Sequence, residues 1–555
     1  MKRIISILSL LIVLVVAVGS QTTPAAARKD RFASKLRSLN AIVKELETNY
    51  VDTLNADKIM DETIDMLLYQ IDPYTEYYPA GDQDELQQIS EGRYAGIGAV
   101  ITKKGSEVII NEPQEDAPAA KAGLRRGDVI LVIDGDSVTP AMDVTQVSKR
   151  LRGQAGTDIT VTVRRPYVGA DSILTFAFKR ASIKVNPLPY FGVDSTGVGY
   201  ILLTTFNESS ARSVRHAVEE MLKDPELKGI VLDLRSNGGG LLEGAVQIAG
   251  LFVPKGTEIV HTRGRIASDE KSYRTTAAPL DTRVPLAILT DGGTASASEI
   301  VAGSLQDLDR AVIVGERSFG KGLVQTPRPL PFGDILKITT ARYYIPSGRL
   351  IQALDYSHRD ADGRPMRTPD SLTNVYKTVH GRTVRDGGGI TPDVSVAPRE
   401  SNRLLYNLMA DMWVYDYATR HVARHPQAPA PGDSLVTDSI FADFKAFIDP
   451  SRLQYDRQSE AAIELLRKAA RIEGYESDSV SAQIDILAGL MKHDLNHDLD
   501  FNREAITELL RTELAARYYS NAEAVRLALG TDSTYHAARA ILLDPARYNS
   551  LLRPN

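Results

Sequence analysis

The stretch Leu289-Thr290-Asp291-Gly292-Gly293-Thr294-Ala295-Ser296-Ala297-Ser298-Glu299-Ile300 decides how this chain folds. An apolar run over 284–289 leads into it, a glycine turn interrupts it, and helical spacing follows. A second turn of the same kind, Asp233-Leu234-Arg235-Ser236-Asn237-Gly238-Gly239-Gly240-Leu241-Leu242, follows the apolar run 229–234. A third buried-strand pattern lies at 197–203 and a helical pattern over 209–222, so strands and helices alternate from about 186 to 399. That alternation predicts an α/β domain around a largely buried sheet. A strand–turn–helix junction presents a side chain at the helix start and leaves backbone N–H groups without intrahelical partners. Acyl transfer needs this arrangement: a nucleophilic hydroxyl beside amides aimed at the developing oxyanion. Phosphate binding is the competing use of a glycine-rich turn. Neither turn fits G-x-G-x-x-G or a P-loop, which sets that use aside.

Outward from this core, the segment 92–166 changes to short β-like runs at 97–102, 108–111, 129–133 and 159–163, with a helical stretch near 144–151. Its run from Ala122 to Gly135, AGLRRGDVILVIDG, and the strand after Gly96-Ile97-Gly98 resemble a PDZ domain. Such domains bind extended C-terminal peptides by adding a strand to a sheet edge. Gly96 and Gly98 suit a backbone that must approach a carboxylate closely. Residues 32–68 carry apolar positions at helical spacing, read as a packing or dimerisation element. Lys2 and Arg3 before an apolar run over 4–18, then Gly19 and Ser20, read as a secretory signal peptide. Amphipathic helical runs at 404–418, 460–472, 482–490 and 503–518 form a C-terminal appendage for packing, oligomerisation or docking.

The chain has 555 residues, enough for about three or four domains. Hydrophobic residues are 43% and charged residues 25%, which is a globular composition. Asp plus Glu number 71 against 65 Lys plus Arg, a net charge of −6 that argues against a general nucleic-acid binder. The absence of cysteine removes thiol nucleophiles, disulfide frameworks and thiolate metal sites. None of the nine histidines lies in a glycine-rich turn, and there is no G-x-S-x-G elbow. His493 and His497, with Asp498 and Asp500, have a metal-like spacing but read as a solvated helix end. Lysine remains as the base for a serine, because desolvating an ammonium lowers its pKa. Lys321, in Phe319-Gly320-Lys321-Gly322-Leu323, stands between glycines and beside apolar residues.

These motifs, with Gln306-Asp307, Val314-Gly315-Glu316 and Tyr344-Ile345-Pro346-Ser347-Gly348-Arg349, resemble the carboxyl-terminal processing proteases. Members of that family, also called tail-specific proteases, are serine peptidases of family S41. They carry a PDZ domain and a Ser–Lys pair. Their lysine follows the nucleophile by 25 positions and a glutamine follows the lysine by four; Ser296, Lys321 and Gln325 keep both spacings. The resemblance implies a crotonase- and caseinolytic-protease-like α/β core. It implies Ser296 as nucleophile, Lys321 as base and then acid, and Gln325 as the residue orienting Lys321. An oxyanion hole would come from the Ala297 amide with a glycine amide at Gly239 or Gly240. Gly96, Ile97, Gly98 and Ala99 would bind the peptide, and Arg152 would mediate regulatory contact between PDZ domain and core. Asp307 and Glu299 read as structural supports.

The expected organisation is a signal peptide at 1–20, a helical segment at 31–91, a PDZ domain at 92–166, a peptidase core at 180–399 and helices at 400–555. The expected protein sits in the periplasm or cell envelope, with any membrane tether confined to an uncleaved N-terminus. It needs no metal or cofactor and takes protein substrates by their C-termini. An activating adaptor and a homo-oligomer are compatible with the resemblance. A non-catalytic PDZ scaffold, and an acyl-CoA or lipid-binding use of the core, are the competing readings. A lysine base further predicts activity that rises with pH, with a midpoint below the ~10.4 of free lysine.

Overall fold

The computed structural model describes residues 24–81, 83, 86, 92–167, 172–397, 402–430 and 434–553. The signal-peptide expectation at 1–20, and most of 82–91, lie outside them. The chain divides between Tyr77 and Tyr78 into two compact units. The first contains the helices Pro24–Asn49 and Ala56–Tyr69. Asn55 caps the second by accepting the Lys58 amide at 3.1 Å. Leu36, Leu39, Ile42 and Leu46 on the first helix are exposed.

The second unit is built on a six-stranded sheet in the order Tyr190–Val193, Val198–Leu202, Gly229–Asp233, Leu286–Thr290, Val312–Gly315 and Val394–Ser395. Only the first pair is antiparallel. Every residue of the three strands from Gly229–Asp233 to Val312–Gly315 is buried, as the uninterrupted apolar runs require of a sheet covered on both faces. Alternation sends Ile230, Leu232 and Ile288 to one face, where helices Ser210–Met221, Leu242–Ala249 and Ala297–Asp307 pack on them. Val231, Ala287 and Leu289 point to the other face, which the C-terminal helices Ser533–Leu542 and Pro545–Leu552 cover with Tyr535, Ala538, Ile541, Leu542 and Tyr548. The expected appendage is therefore the second layer of the core. Its first long run also breaks in two, Arg403–Ala410 and Trp413–Arg424, because Met412 takes a left-handed φ of 60°.

A further antiparallel ribbon pairs Leu323–Pro329 with Ile335–Tyr344, and the latter with Glu258–Gly264. The small β module runs in the order Ala99–Lys104, Glu107–Pro113, Val129–Ile133, Asp158–Arg165 and Ser172–Lys179. Its sheet continues past the expected domain end at 166. Ser172–Lys179 alternates half-buried and exposed residues and pairs along its whole length with Asp158–Arg165.

Candidate active site

The two glycine-rich turns meet because their strands do. Gly229–Asp233 and Leu286–Thr290 are parallel neighbours, so both chains leave the sheet at the same edge. Four hydrogen bonds clasp the turns: Ser236 N to Asp291 Oδ1 (2.8 Å), Thr294 Oγ1 to Leu234 O (2.9 Å), Ala295 N to Asn237 O (3.0 Å) and Ser298 Oγ to Asn237 O (2.8 Å). Asn237 is fully buried, and its side chain also donates to Leu203 O at 2.7 Å. Ser298 is thus spent on structure, whereas Ser296 is half-buried at the start of helix Ala297–Asp307.

Ser296 has a φ of 58° with a ψ of −115°, a sparsely populated backbone conformation that costs an L-residue about 1–3 kcal/mol. Its neighbours enforce it. The Ser296 amide donates to Glu299 Oε2 at 2.9 Å, and its carbonyl accepts the Tyr343 hydroxyl at 3.1 Å. The turn before it is closed by Gly239, whose φ is 102°. A Cβ on Gly239 would lie 2.8 Å from Ser296 Cβ and 2.9 Å from Ala297 N, so only glycine fits.

Lys321 is held by the same two groups. Its amide donates to Glu299 Oε2 at 2.9 Å, and its carbonyl shares the single Tyr343 hydroxyl proton with that of Ser296. The other Glu299 oxygen accepts Gly320 N at 2.7 Å and the Ser318 hydroxyl. Burial pushes the Glu299 carboxyl up to about 7, against the pull of those four hydrogen bonds. One carboxylate and one phenol therefore bind the main chains of residues 25 positions apart in sequence. Gln325 lies on Leu323–Pro329, opposite Thr339 in register, and its amide nitrogen donates to Thr339 Oγ1 at 3.1 Å.

Around Ser296, the amide of Gly239 is already donated to Asn237 Oδ1 at 2.9 Å. Among the described residues the amides of Gly240 and Ala297 have no acceptor. Asp307 is buried in an ion pair with Arg349 at 2.8 Å.

In the β module, Ala99–Lys104 is the terminal strand of the sheet, and helix Val144–Leu151 lies against it. Gly98 has a φ of 72°, and a Cβ there would stand 2.3 Å from Ala117 Cβ. The Ile97 and Gly98 carbonyls accept Ala119 N and Gln114 N, both at 2.9 Å, which fixes the loop at Gly96-Ile97-Gly98-Ala99. Arg152 caps the helix end with its guanidinium 5.4 Å over the Tyr94 ring. Tyr94 belongs to the ribbon Arg93–Gly96/Ala181–Lys184, where the chain enters and leaves the module. His493 lies apart from these sites in the helical region, with Nδ1 2.7 Å from Asp498 Oδ2 and Nε2 2.8 Å from Ser459 Oγ.

Sequence reasoning gave Glu299 only a supporting part and missed Tyr343 and Asn237. The Ser296-x-x-Glu299 spacing is a capping-box signal that points to the first half of the Glu299 role. Nothing local points to Tyr343, which arrives from another sheet.

Known proteins match the chain in three parts. Residues 197–356 match peptidase family S41, 109–165 a PDZ domain, and 404–542 the C-terminal helical domain of probable PDZ-proteases. A carboxy-terminal-processing protease of Bartonella bacilliformis is 38% identical over 323 residues, 58% of this chain and 73% of its own length. A probable CtpA-like serine protease of Staphylococcus aureus is 34% identical over 322 residues, covering 57% of this chain and 63% of the relative. The solved structure of the photosystem II D1 C-terminal processing protease is 29% identical, with a TM-score of 0.36 over 64% of this chain and 86% of that one. With an S41 match on the strand-and-turn core, a PDZ match on the β module and a relative matched over most of its length, the chain belongs to the carboxy-terminal-processing proteases, serine endopeptidases of family S41.

Proposed function

We propose that this protein is an exported, ATP-independent endopeptidase that cuts proteins near their C-termini with Ser296 and Lys321, assisted by Gln325. The observation that carries the reading is the shared grip of Glu299 Oε2 and the Tyr343 hydroxyl on both main chains. A grip of this kind fixes the two residues relative to each other, as a positioned nucleophile and base require. The commitment of Ser298 Oγ to Asn237 O further favours Ser296 as the nucleophile.

In this mechanism the neutral Lys321 amine takes the Ser296 Oγ proton as Oγ attacks the scissile carbonyl carbon. The oxyanion is received by the amides of Ala297 and Gly240, neither of which has an acceptor among the described residues. Lys321 then returns the proton to the departing amine, leaving Ser296 acylated. Water, deprotonated by the same lysine, releases the new C-terminus. Gln325, on the strand that follows Lys321, steadies the amine. The PDZ domain takes the substrate's free C-terminus as an added strand along Ala99–Lys104, with its carboxylate at the Gly96–Ala99 loop. Arg152, stacked on Tyr94 at the base of the module, couples that domain to the core. The charged and apolar start of the chain supports export to the cell envelope.

The test is cleavage of a C-terminally tagged protein by purified enzyme. Ser296→Ala and Lys321→Ala should each abolish cleavage while thermal unfolding and circular dichroism stay those of the wild type. Amidating the substrate's C-terminus should raise KM. Undiminished cleavage by Ser296→Ala would sink the dyad.

A further inference from the structure

We propose that Asp532, in the C-terminal helical region, is a positioning residue for this peptidase, acting through Arg235 on the glycine-rich turn beside Ser296. The inference rests on the dyad reading above and extends it to a residue 236 positions from the nucleophile. Asp532 caps helix Ser533–Leu542 by accepting the Tyr535 amide at 2.9 Å, so its carboxylate is fixed at the helix end. The helix is anchored in turn by Tyr535, Ala538, Ile541 and Leu542 against the sheet.

From that fixed point Asp532 reaches the turn with both oxygens. Arg235 Nη1 donates to Oδ1 at 3.2 Å and Nη2 to Oδ2 at 2.6 Å, a forked pair of the kind that sets geometry as well as charge. The other edge of the same guanidinium holds Asp233, with Nε 3.0 Å from each of its oxygens. Tyr200 closes the network by donating to Asp233 Oδ2 at 2.7 Å. Arg235 is thus gripped from the sheet on one side and from the C-terminal helix on the other.

What Arg235 fixes is the entrance to the turn. The next residue, Ser236, has a left-handed φ of 55°. The one after it, Asn237, binds Gly239 N through its side chain and Ala295 N and Ser298 Oγ through its carbonyl. Those contacts place Gly240 and the start of the nucleophile helix. Without Asp532 the guanidinium keeps, among the described residues, only the Asp233 carboxylate, at the end of the strand that leads into its own turn. A displacement of an ångström or less at an oxyanion donor is enough to slow acyl transfer while leaving substrate binding alone.

The experiment uses the full-length enzyme and four variants: Asp532→Ala, Asp532→Asn, Asp532→Glu and, as a control, Tyr548→Phe. Tyr548 anchors the adjacent C-terminal helix by accepting Leu286 N at 2.9 Å, at the end of Leu286–Thr290 away from the turn. Each protein is assayed for kcat and KM on a C-terminally tagged substrate, thermal unfolding, and amide hydrogen exchange over residues 234–241. Asp532→Ala and Asp532→Asn should lower kcat about 10- to 100-fold with KM within about twofold, and speed exchange in the turn. Asp532→Glu should recover most of the lost kcat. Tyr548→Phe should lower the unfolding temperature but leave kcat and turn exchange as in wild type. The proposal is overturned if Asp532→Asn exchanges in the turn like wild type, or if Tyr548→Phe lowers kcat as much at equal loss of stability. Exchange needs no turnover, so it reports on Asp532 even if Ser296→Ala proves that the dyad reading is wrong.

Discussion

The helical region 402–553 meets the rest of the protein at two faces of opposite character. On the peptidase core, Tyr535, Ala538, Ile541, Leu542, Tyr548 and Leu552 interleave with Val198, Tyr200, Val231, Ala287, Leu289, Val312 and Val314, all of them buried. On the PDZ domain the apolar contact is little more than Tyr415, packed on Ile109 and Val129 with its hydroxyl on Ile110 O at 3.1 Å. Polar links surround it: the ion pair of Lys104 with Asp416, and Asn521 Nδ2 to Glu112 Oε1 at 2.9 Å. The first face is a continuation of the hydrophobic core, and separating it would cost what unfolding costs. The second, small and largely polar, has the make-up of an interface between domains that are not one core. The same region is therefore a wall of the catalytic domain on one side and a largely polar contact with the PDZ domain on the other.

The sharpest way to break this contrast is to charge the core face. Ala538→Asp would bury an unpaired carboxylate under the sheet, and the protein should lose more than about 4 kcal/mol of stability and fail to accumulate in soluble form. Soluble, active Ala538→Asp protein would mean the C-terminal helices are not core. The second test uses Glu299, on the core side. Its folded-state pKa of about 7 lies above the ordinary carboxylate value. Its contribution to stability is therefore complete below about 4.3 and lost as pH rises through 7. Between pH 5 and 8 the unfolding temperature of wild type should fall relative to that of Glu299→Gln; parallel curves would contradict this.

The PDZ face should respond more mildly. Tyr415→Ala removes the buried aromatic ring of that face, and truncations of buried aromatics cost about 3–5 kcal/mol where the site cannot collapse. Here the loss should fall on the interface, so that hydrogen exchange speeds up in Glu107–Pro113 while the sheet Gly229–Asp233/Leu286–Thr290 stays protected. Exchange rising equally in both would merge the two faces into one cooperative unit. The smallest effect belongs to Lys104→Ala, at most about 1 kcal/mol for a partly exposed pair and fading in high salt. A salt-independent loss would show that this pair is more than a rim contact.

The contrast also explains what could be read in advance. The strands Gly229–Asp233 and Leu286–Thr290 and the turns after them were legible because apolar runs ending in glycines are local signals. The amphipathic runs at 460–472 and 503–518 were legible as helices for the same reason. Their destination was not, since an apolar stripe states that a face must be covered but not by what. Ser296 and Lys321 emerged from family spacing. The residues that join them, Glu299 and Tyr343, came out as a support and as nothing, because hydrogen bonds across 22 and 47 residues leave no periodic trace. The sheet of the β module runs on to Lys179, past the expected 166, because Ser172–Lys179 joins it by pairing with Asp158–Arg165 across six intervening residues that carry no strand pattern.

By itself, the amino-acid order determined the elements, the two glycine turns and the chemistry the chain could hold: a hydroxyl and an amine, with no thiol to compete. Only the tertiary structure decided which groups serve that chemistry. Parallel pairing of two strands brought the turns together, one buried carboxylate took hold of the main chains of Ser296 and Lys321, and the last helices became the underside of the sheet. The reason is physical: local patterns arise from backbone geometry and burial within a few residues, whereas a site is made by contacts whose partners are chosen when distant segments pack.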